Sequence, residues 1–482
     1  IPAFSIVGLP DASVRESKDR VAAALKNSGY QFPPRRITVN LAPAHVKKEG
    51  GAFDLPIALG ILAASGQLSD KTLDRYVHLG ELSLAGALRP VRGVLPIALS
   101  LADEPGGRGL IIPATNGPEA AAVPRIDTRI AATLVDGVRF HAGAGDLGIP
   151  AIVKAPAAAA LVDYAEVRGQ AFARRALEIA AAGGHNILLI GPPGAGKSML
   201  ARRLPTILPP LTEREAMEAS RIHSVAGLLP PGAGLLAARP VRAPHHTISA
   251  AALLGGGPVP RPGEVTLAHH GVLFLDEFPE FRRDALEGLR QTLEDGQVTV
   301  ARVQGSMTFP ARSMLVAAAN PCPCGYAGDS RTACHCHPIQ IRKYRSKLSG
   351  PLLDRIDLHV EVPAVPPEAL GGPSATGGEP SAAIRVRVLE ARGRQAARFA
   401  DCGGIHANSQ MGPRDLVAWA QIGDAGADLL RNAVRRLGLS ARAHDRILRV
   451  ARTIADLAGS EGVRTDHLAE AIQFRALDLP FQ

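Results

Sequence analysis

The sequence predicts an α/β protein whose centre is a buried parallel sheet, flanked by a mixed α+β segment before it and a helical one after it. Three observations carry this. The apolar run Asn186-Ile187-Leu188-Leu189-Ile190 leads directly into the glycine-rich stretch 191–198 and then into helix-forming residues 199–204. A second apolar run, Val272-Leu273-Phe274-Leu275, ends in the acidic pair Asp276-Glu277. Two more short apolar runs, Ser313–Ala319 and Leu358–Val362, complete the pattern. Runs this short and this uniformly apolar suit strands covered on both faces, as in parallel sheets.

Taken in order, residues 1–145 alternate β-branched runs with Ala-rich helical ones. Arg36–Leu41 reads as a strand, Leu55–Ser65 as a helix and Gly109–Pro113 as a strand. Residues 146–160 are rich in Gly, Ala and Pro and read as a linker. The α/β core spans 161–364, a Gly/Ser/Pro tether 365–384, and the helical segment 385–482. In that last segment Ile447, Leu448, Ala451, Ile454 and Ala455 recur at helical spacing. At 482 residues the chain exceeds what one core can bury, so several domains are expected. No run approaches the ~20 apolar residues of a membrane helix. The opening IPAFSIVGLPDASV has no basic n-region and is not read as a signal peptide. Five cysteines argue against a disulfide framework, so a soluble, cytoplasmic protein is expected. The net charge of +9 is compatible with a polyanionic partner without specifying one.

The chemistry lies in the motifs. Gly191-Pro192-Pro193-Gly194-Ala195-Gly196-Lys197-Ser198 is a complete G-x-x-x-x-G-K-[ST] loop, with Met199 opening the helix behind it. Its glycines let backbone N–H groups wrap a phosphate, Lys197 reaches the outer phosphates and Ser198 can ligate Mg²⁺. Asp276, at the end of its strand, can hold the same Mg²⁺, and Glu277 can polarise a water. The two motifs together predict hydrolysis of a nucleoside triphosphate, with Val167-Arg168-Gly169-Gln170 as a further wall of the site. Asn320 ends another strand and can orient the attacking water. As an isolated feature, Asn320-Pro321 reads as a strand-ending turn. Arg355 lies between Asp354 and Asp357, which suits a surface ion pair or an arginine finger. Arg442 opens the long C-terminal helix, where a solvated arginine is the plain reading.

Together these parts resemble an AAA+ ATPase of the magnesium-chelatase-like branch, and more closely the bacterial ComM/YifB family. The resemblance rests on FSIVGLPDASVRES (4–17), RRITVNLAPA (35–44), KEGGAFDLPIALGIL (48–62) and RAPHHTISAAALLGGG (242–257). It continues through RPGEVTLAHHGVLFLDEFPEF (261–281), SGPLLDRIDLHVEV (349–362) and SARAHDRILRVARTIADL (440–457). It implies an AAA+ P-loop core with a C-terminal helical lid, and ATP with Mg²⁺ as cofactors. It further implies a hexameric homo-oligomeric ring in which Arg355 acts in trans and Arg442 in cis. The implied activity is that of a DNA motor, a helicase that promotes branch migration on single-stranded or branched DNA in natural transformation. Other readings are a metal-insertion ATPase of the magnesium-chelatase type and an AAA+ ATPase that remodels proteins.

The N-terminal segment resembles the Lon protease domain, an α+β fold of the S5-domain-2 type. Lon enzymes place a Ser nucleophile in K-D-G-P-S-A-G and a Lys base downstream. Here Lys48-Glu49-Gly50-Gly51-Ala52-Phe53-Asp54 puts Ala52 at the nucleophile position, and the register of residues 80–96 puts Leu95 at the base position. Both members of the dyad are missing, so no peptidase activity is expected.

Chelatase-like and helicase-like relatives carry hairpins near 255–265 and 297–309. By that resemblance Arg261 and Arg302 become candidate DNA phosphate contacts, against the alternative of solvated loop arginines. IRKYRSKLSG (341–350) surrounds Tyr344 with basic residues, which suits a solvated or interface helix face. Finally, Cys322, Cys324, Cys334 and Cys336 form a C-x-C…C-x-C pattern that could close a tetrahedral structural Zn²⁺ site.

Overall fold

The computed structural model describes residues 3–151, 162–257, 260–302, 305–365 and 378–475. The sequence-read linkers therefore lie largely outside the described residues, as do positions 258–259, 303–304 and the side chain of Arg302. The chain forms two compact units, one of Ile1–Ala157 with Glu213–Ala237, the other of Ala158–Thr212 with Ala238–Gln482.

The second unit is built on five parallel strands. Their spatial order is Leu358–Glu361, Ile187–Ile190, Met314–Ala319, Val272–Leu275 and Val241–Arg242. Side chains alternate across a strand, and here the alternation divides the apolar residues between two cores. Ile187, Leu189, Phe274, Val316, Leu358 and Val360 face the helices Ala171–Gly183, Ser381–Arg398 and Ala441–Leu457. Leu188, Ile190, Leu273, Leu275, Leu315 and Ala317 face the helix Arg283–Asp295. Truncating one of these fully buried leucines to Ala would cost ~2–5 kcal/mol. The edge strand Val241–Arg242 escapes sequence reading because only two residues pair. All five positions picked from the spacing in 440–457 are buried in the helix Ala441–Leu457, whose N-terminus is capped by the Ser440 hydroxyl. The same helix buries Asp456, which accepts from Arg398, Arg452 and Asn408.

The first unit contains the parallel pair Ala3–Val7 and Arg36–Asn40, and a parallel sheet ordered Tyr76–His78, Gly109–Pro113, Thr128–Ala131. The helix Asp54–Ala64 fills its core. Its buried charges close on partners within the unit. Asp54 accepts from the Arg20 guanidinium and the Leu82 N–H. Glu119 accepts from the Leu95 N–H and the Asn116 amide, and the Ser224 hydroxyl also donates to it. Ala52 lies in the short turn Gly51–Phe53, and Leu95 is fully buried.

One segment departs from the sequence reading. Residues 213–237, read as part of the 161–364 core, belong to the first unit. Their helix Glu213–Ala226 brings Met217 against the core of Val94, Leu95 and Leu101. An amphipathic pattern shows that a helix has an apolar face, but not which core that face covers.

Candidate nucleotide site and the opposite rim of the sheet

The glycine-rich loop leaves the C-terminal end of the Ile187–Ile190 strand. The Gly191 N–H bonds the Ala319 carbonyl at 3.2 Å, and a Cβ at 191 would lie 2.0 Å from the Val362 oxygen. Only glycine passes between those neighbouring strands. Pro192, Pro193, Gly194 and the buried Ala195 form the loop, and Gly196, at φ +93, turns it into the helix Lys197–Arg203. The first-turn N–H groups of such a helix have no intrahelical acceptor and suit an anion. Gln170 braces the loop from outside, its amide donating to Ala195 O (3.1 Å) and Pro363 O (2.6 Å). Gln170 itself holds a left-handed φ of 55°, as does its neighbour Gly169 at 66°. Val167 is fully buried in the adjoining core, and Met199 packs against the same core.

Five residues named from sequence converge at this rim. The Lys197 ammonium donates to Gly191 O (2.7 Å), Pro192 O (2.9 Å) and Asn320 Oδ1 (3.1 Å). Burial lowers its pKa while the Asp276 charge raises it, with a net downward shift. The Ser198 hydroxyl donates to Asp276 Oδ2 at 2.6 Å. Glu277 follows with φ 51°, a conformation that costs a non-glycine residue on the order of 1 kcal/mol and that clusters at functional sites. Its carboxylate is held by His246 Nδ1 at 2.8 Å. The His246 ring in turn lies tilted against His245, with centroids 4.1 Å apart. His246 lies in the quoted 242–257 stretch, but nothing in its local pattern links it to a carboxylate on another strand.

The two arginines lie elsewhere. Arg355 precedes the Leu358–Glu361 strand, so it sits at the N-terminal rim of the sheet. The backbone C=O of Arg355 accepts from Asn186, the residue before the Ile187–Ile190 strand. The Arg355 side chain is only 4% exposed, paired with Glu294 and bonded to Pro351 O at 2.6 Å. Burial and the like charges of Arg442, Arg290 and Arg446 lower its pKa. Arg442 reaches the same carboxylate, Glu294, at 3.8 Å. Its helix is tied to this rim by Ser440 to Asp354 and by Arg446 to Asp357. Burial pushes the Asp357 carboxyl up, but Arg446 and His185 more than offset this and hold it well below the usual range.

The resemblance implies a cis role for Arg442. The strand separating its rim from the phosphate loop is ~10 Å long, and Arg442 stands with Arg355 at the far end. The flanking aspartates also prove not to be partners of Arg355: Asp357 is taken by Arg446 and His185.

Two antiparallel pairs occupy the candidate DNA positions. Gly255–Gly256 pairs with Arg261–Pro262, and Gln297–Arg302 pairs with Gly305–Pro310. Arg261 is exposed. In the basic helix Pro338–Arg345, Tyr344 is buried while Arg342 and Lys343 are exposed. The four clustered cysteines are free thiols whose sulfurs all lie within 4.8 Å of one another. Among the described residues no helix is long and apolar enough to cross a membrane.

Comparison with known proteins agrees with this geometry. Residues 163–370 match the family model described as magnesium chelatase, subunit ChlI. Residues 1–116 match subunit ChlI of Mg-chelatase, and 378–475 match the ChlI C-terminal model. Fold and matches define a magnesium-chelatase-like protein with a mixed α/β, parallel-sheet core of the AAA+/P-loop kind. The chain is 46% identical to competence protein ComM of Haemophilus influenzae, over 99% of this chain and 92% of that one. It is 44% identical to YifB of Salmonella typhimurium, again over 99% and 92%. A Mycobacterium tuberculosis protein, Rv2897c, is also 44% identical, over 98% and 93%. The chain belongs to the ComM/YifB family.

Proposed function

We propose that this chain hydrolyses ATP within a hexameric ring of identical copies and uses the cycle to drive branch migration on single-stranded or branched DNA. The observation that carries the reading is the convergence of Lys197, Ser198, Asp276, Glu277 and Asn320 at one sheet rim. The name of the Haemophilus relative, a competence protein, supports a role in natural transformation.

The donor set fits Mg²⁺: two oxygens 2.6 Å apart, from Ser198 and Asp276, suit adjacent positions of a small octahedral ion. Those residues would hold Mg²⁺, which supplies neutralisation of phosphate charge. Lys197 donates to the outer phosphates in place of its carbonyl partners. Asn320 orients the water, and Glu277, turned away from His246, accepts its proton. Arg355 and Arg442 leave Glu294 for the terminal phosphate bound by the next subunit, where an arginine finger is worth ~10³–10⁵ in rate. Residues 1–145 act as a Lon-like scaffold without peptidase chemistry and 385–482 as a helical lid, in a soluble, cytoplasmic protein. Arg261 and Arg302 contact DNA phosphates.

ATP hydrolysis measured with and without single-stranded and branched DNA tests the motor. Stimulation together with unwinding of a branched substrate supports it, and indifference to DNA across salt concentrations sinks it. The chelatase matches favour a second reading, metal insertion, which predicts that indifference. Casein cleavage abolished by Lys197→Ala would refute the absence of peptidase activity.

A further inference from the structure

The four cysteines are held in a geometry that no free-thiol loop requires. Cys322, Cys324 and Cys334 sulfurs stand 3.3, 3.7 and 3.6 Å apart. A tetrahedron of Zn–S bonds of ~2.3 Å spaces its sulfurs ~3.8 Å apart. These separations exceed an S–S bond, and they are too short for cysteines spread around a multi-iron cluster. Backbone N–H groups already point at the sulfurs: Ala327 at Cys322 (3.3 Å), Cys324 at Cys336 (3.4 Å) and Cys336 at Cys334 (3.4 Å). Such donors stabilise thiolates in the shell around a bound metal. Without a cation, four thiolates this close would repel one another. His337 is engaged in capping the helix Pro338–Arg345, so the four sulfurs form the donor set.

The loop they close is joined to the nucleotide rim. Cys322 is fully buried and lies two residues after Asn320, whose amide oxygen receives Lys197. The chain turns at Gly325, where the Gly325 N–H bonds Cys322 O at 3.0 Å. At Gly325 a Cβ would fall 2.6 Å from Pro193 of the phosphate loop. On the other side Arg345 donates to Pro321 O at 3.1 Å. Lys347, just beyond that helix, pairs with Glu280, three residues past Glu277.

We propose that Cys322, Cys324, Cys334 and Cys336 bind one Zn²⁺ per chain, and that this metal fixes Asn320 and Pro193 so that ATP turnover depends on it. The coupling rests on the ATPase reading above; the metal site does not.

The experiment uses the full chain, purified under reducing conditions without chelator. Metal analysis gives about one Zn²⁺ per chain, released by a thiol-reactive mercurial in step with titration of four sulfhydryls. Cys334→Ser and Cys336→Ser lose the metal and lower kcat by ~10–100-fold. Cys334→His, which preserves a tetrahedral donor set, retains both metal and turnover, whereas simple disruption of the loop would lower both. Cys402→Ser, outside the cluster, matches wild type. Where a Ser variant fails to fold, metal stripped from wild type and restored gives the same reading through lost and recovered turnover. Less than ~0.2 Zn²⁺ per chain overturns the site. One Zn²⁺ with unchanged kcat in the stripped protein and the Ser variants overturns the coupling. Wild type that binds Zn²⁺ but hydrolyses no ATP overturns the coupling and the ATPase reading together, and leaves the metal site standing.

Discussion

The two rims of the parallel sheet carry opposite chemistry from one set of strands. At the C-terminal rim, strand ends bring Lys197 to Asn320 and Ser198 to Asp276, with Glu277 next to Asp276 in the chain. At the N-terminal rim, Arg355 and Arg442 share Glu294. In the proposed reading the first rim binds phosphate, holds Mg²⁺ and activates water, and the cation bonded among its named groups is Lys197. The second has spare cations masked by one carboxylate. The two rims hold different groups, and ~10 Å of strand keeps them apart within one chain. In the proposed ring, head-to-tail packing of copies would bring the two together, because such an interface joins different faces of neighbouring molecules.

The difference can be broken at either rim. The largest effect is expected for Arg355→Ala, a ~10³–10⁵-fold loss of kcat with ATP affinity largely kept. A comparable loss of ATP affinity instead would place Arg355 in binding. Glu277→Gln should lower kcat by ~10²–10⁴-fold, again with ATP still bound, measured by single-turnover hydrolysis and equilibrium binding. His246→Ala releases the Glu277 carboxylate, so hydrolysis without DNA should rise, by a few-fold, and the stimulation by DNA should shrink. Lower basal turnover in this variant would show that His246 supports Glu277 rather than restrains it.

The smallest effect tests a region with no part in this account. In the first unit, His78 Nε2 meets His141 Nε2 at 2.9 Å, and His141 Nδ1 meets the Thr72 hydroxyl at 2.9 Å. Burial, with the neighbouring His141, lowers the His78 pKa to about 4, and burial lowers that of His141. The unfolded chain therefore binds protons first as pH falls. Stability should hold above pH ~6.5 and decline between ~6.5 and ~4, by a few kcal/mol. Thermal unfolding across that range checks it. His78→Gln should flatten the decline while leaving turnover at neutral pH as in wild type.

How much the sequence revealed follows the same division. The nucleotide rim was legible because each element is a local pattern: an apolar run, then a glycine-rich loop, an acidic pair or an Asn-Pro. Lys197 and Asp276 could be named before any fold was known, since their positions follow from where a strand ends. The opposite rim depends on Glu294, in the last turn of the helix Arg283–Asp295, and on side chains from three separate elements. No spacing rule pairs Glu294 with Arg442, 148 residues on, so that pair emerges only in the fold. His246 and the Glu213–Ala226 helix were missed for the same reason: their partners are distant in sequence. The cysteine spacing suggested a metal, and only the fold put that loop against Pro193.

The most direct test of the two-rim account mixes two inactive proteins. Glu277→Gln chains keep Arg355, and Arg355→Ala chains keep Glu277. Co-assembled in one ring, they create interfaces with both groups intact, so the mixture should recover ATP hydrolysis that neither protein shows alone. A mixture as inactive as its components, with mixed assembly verified by differential tagging, would contradict the claim that each site is completed by its neighbour.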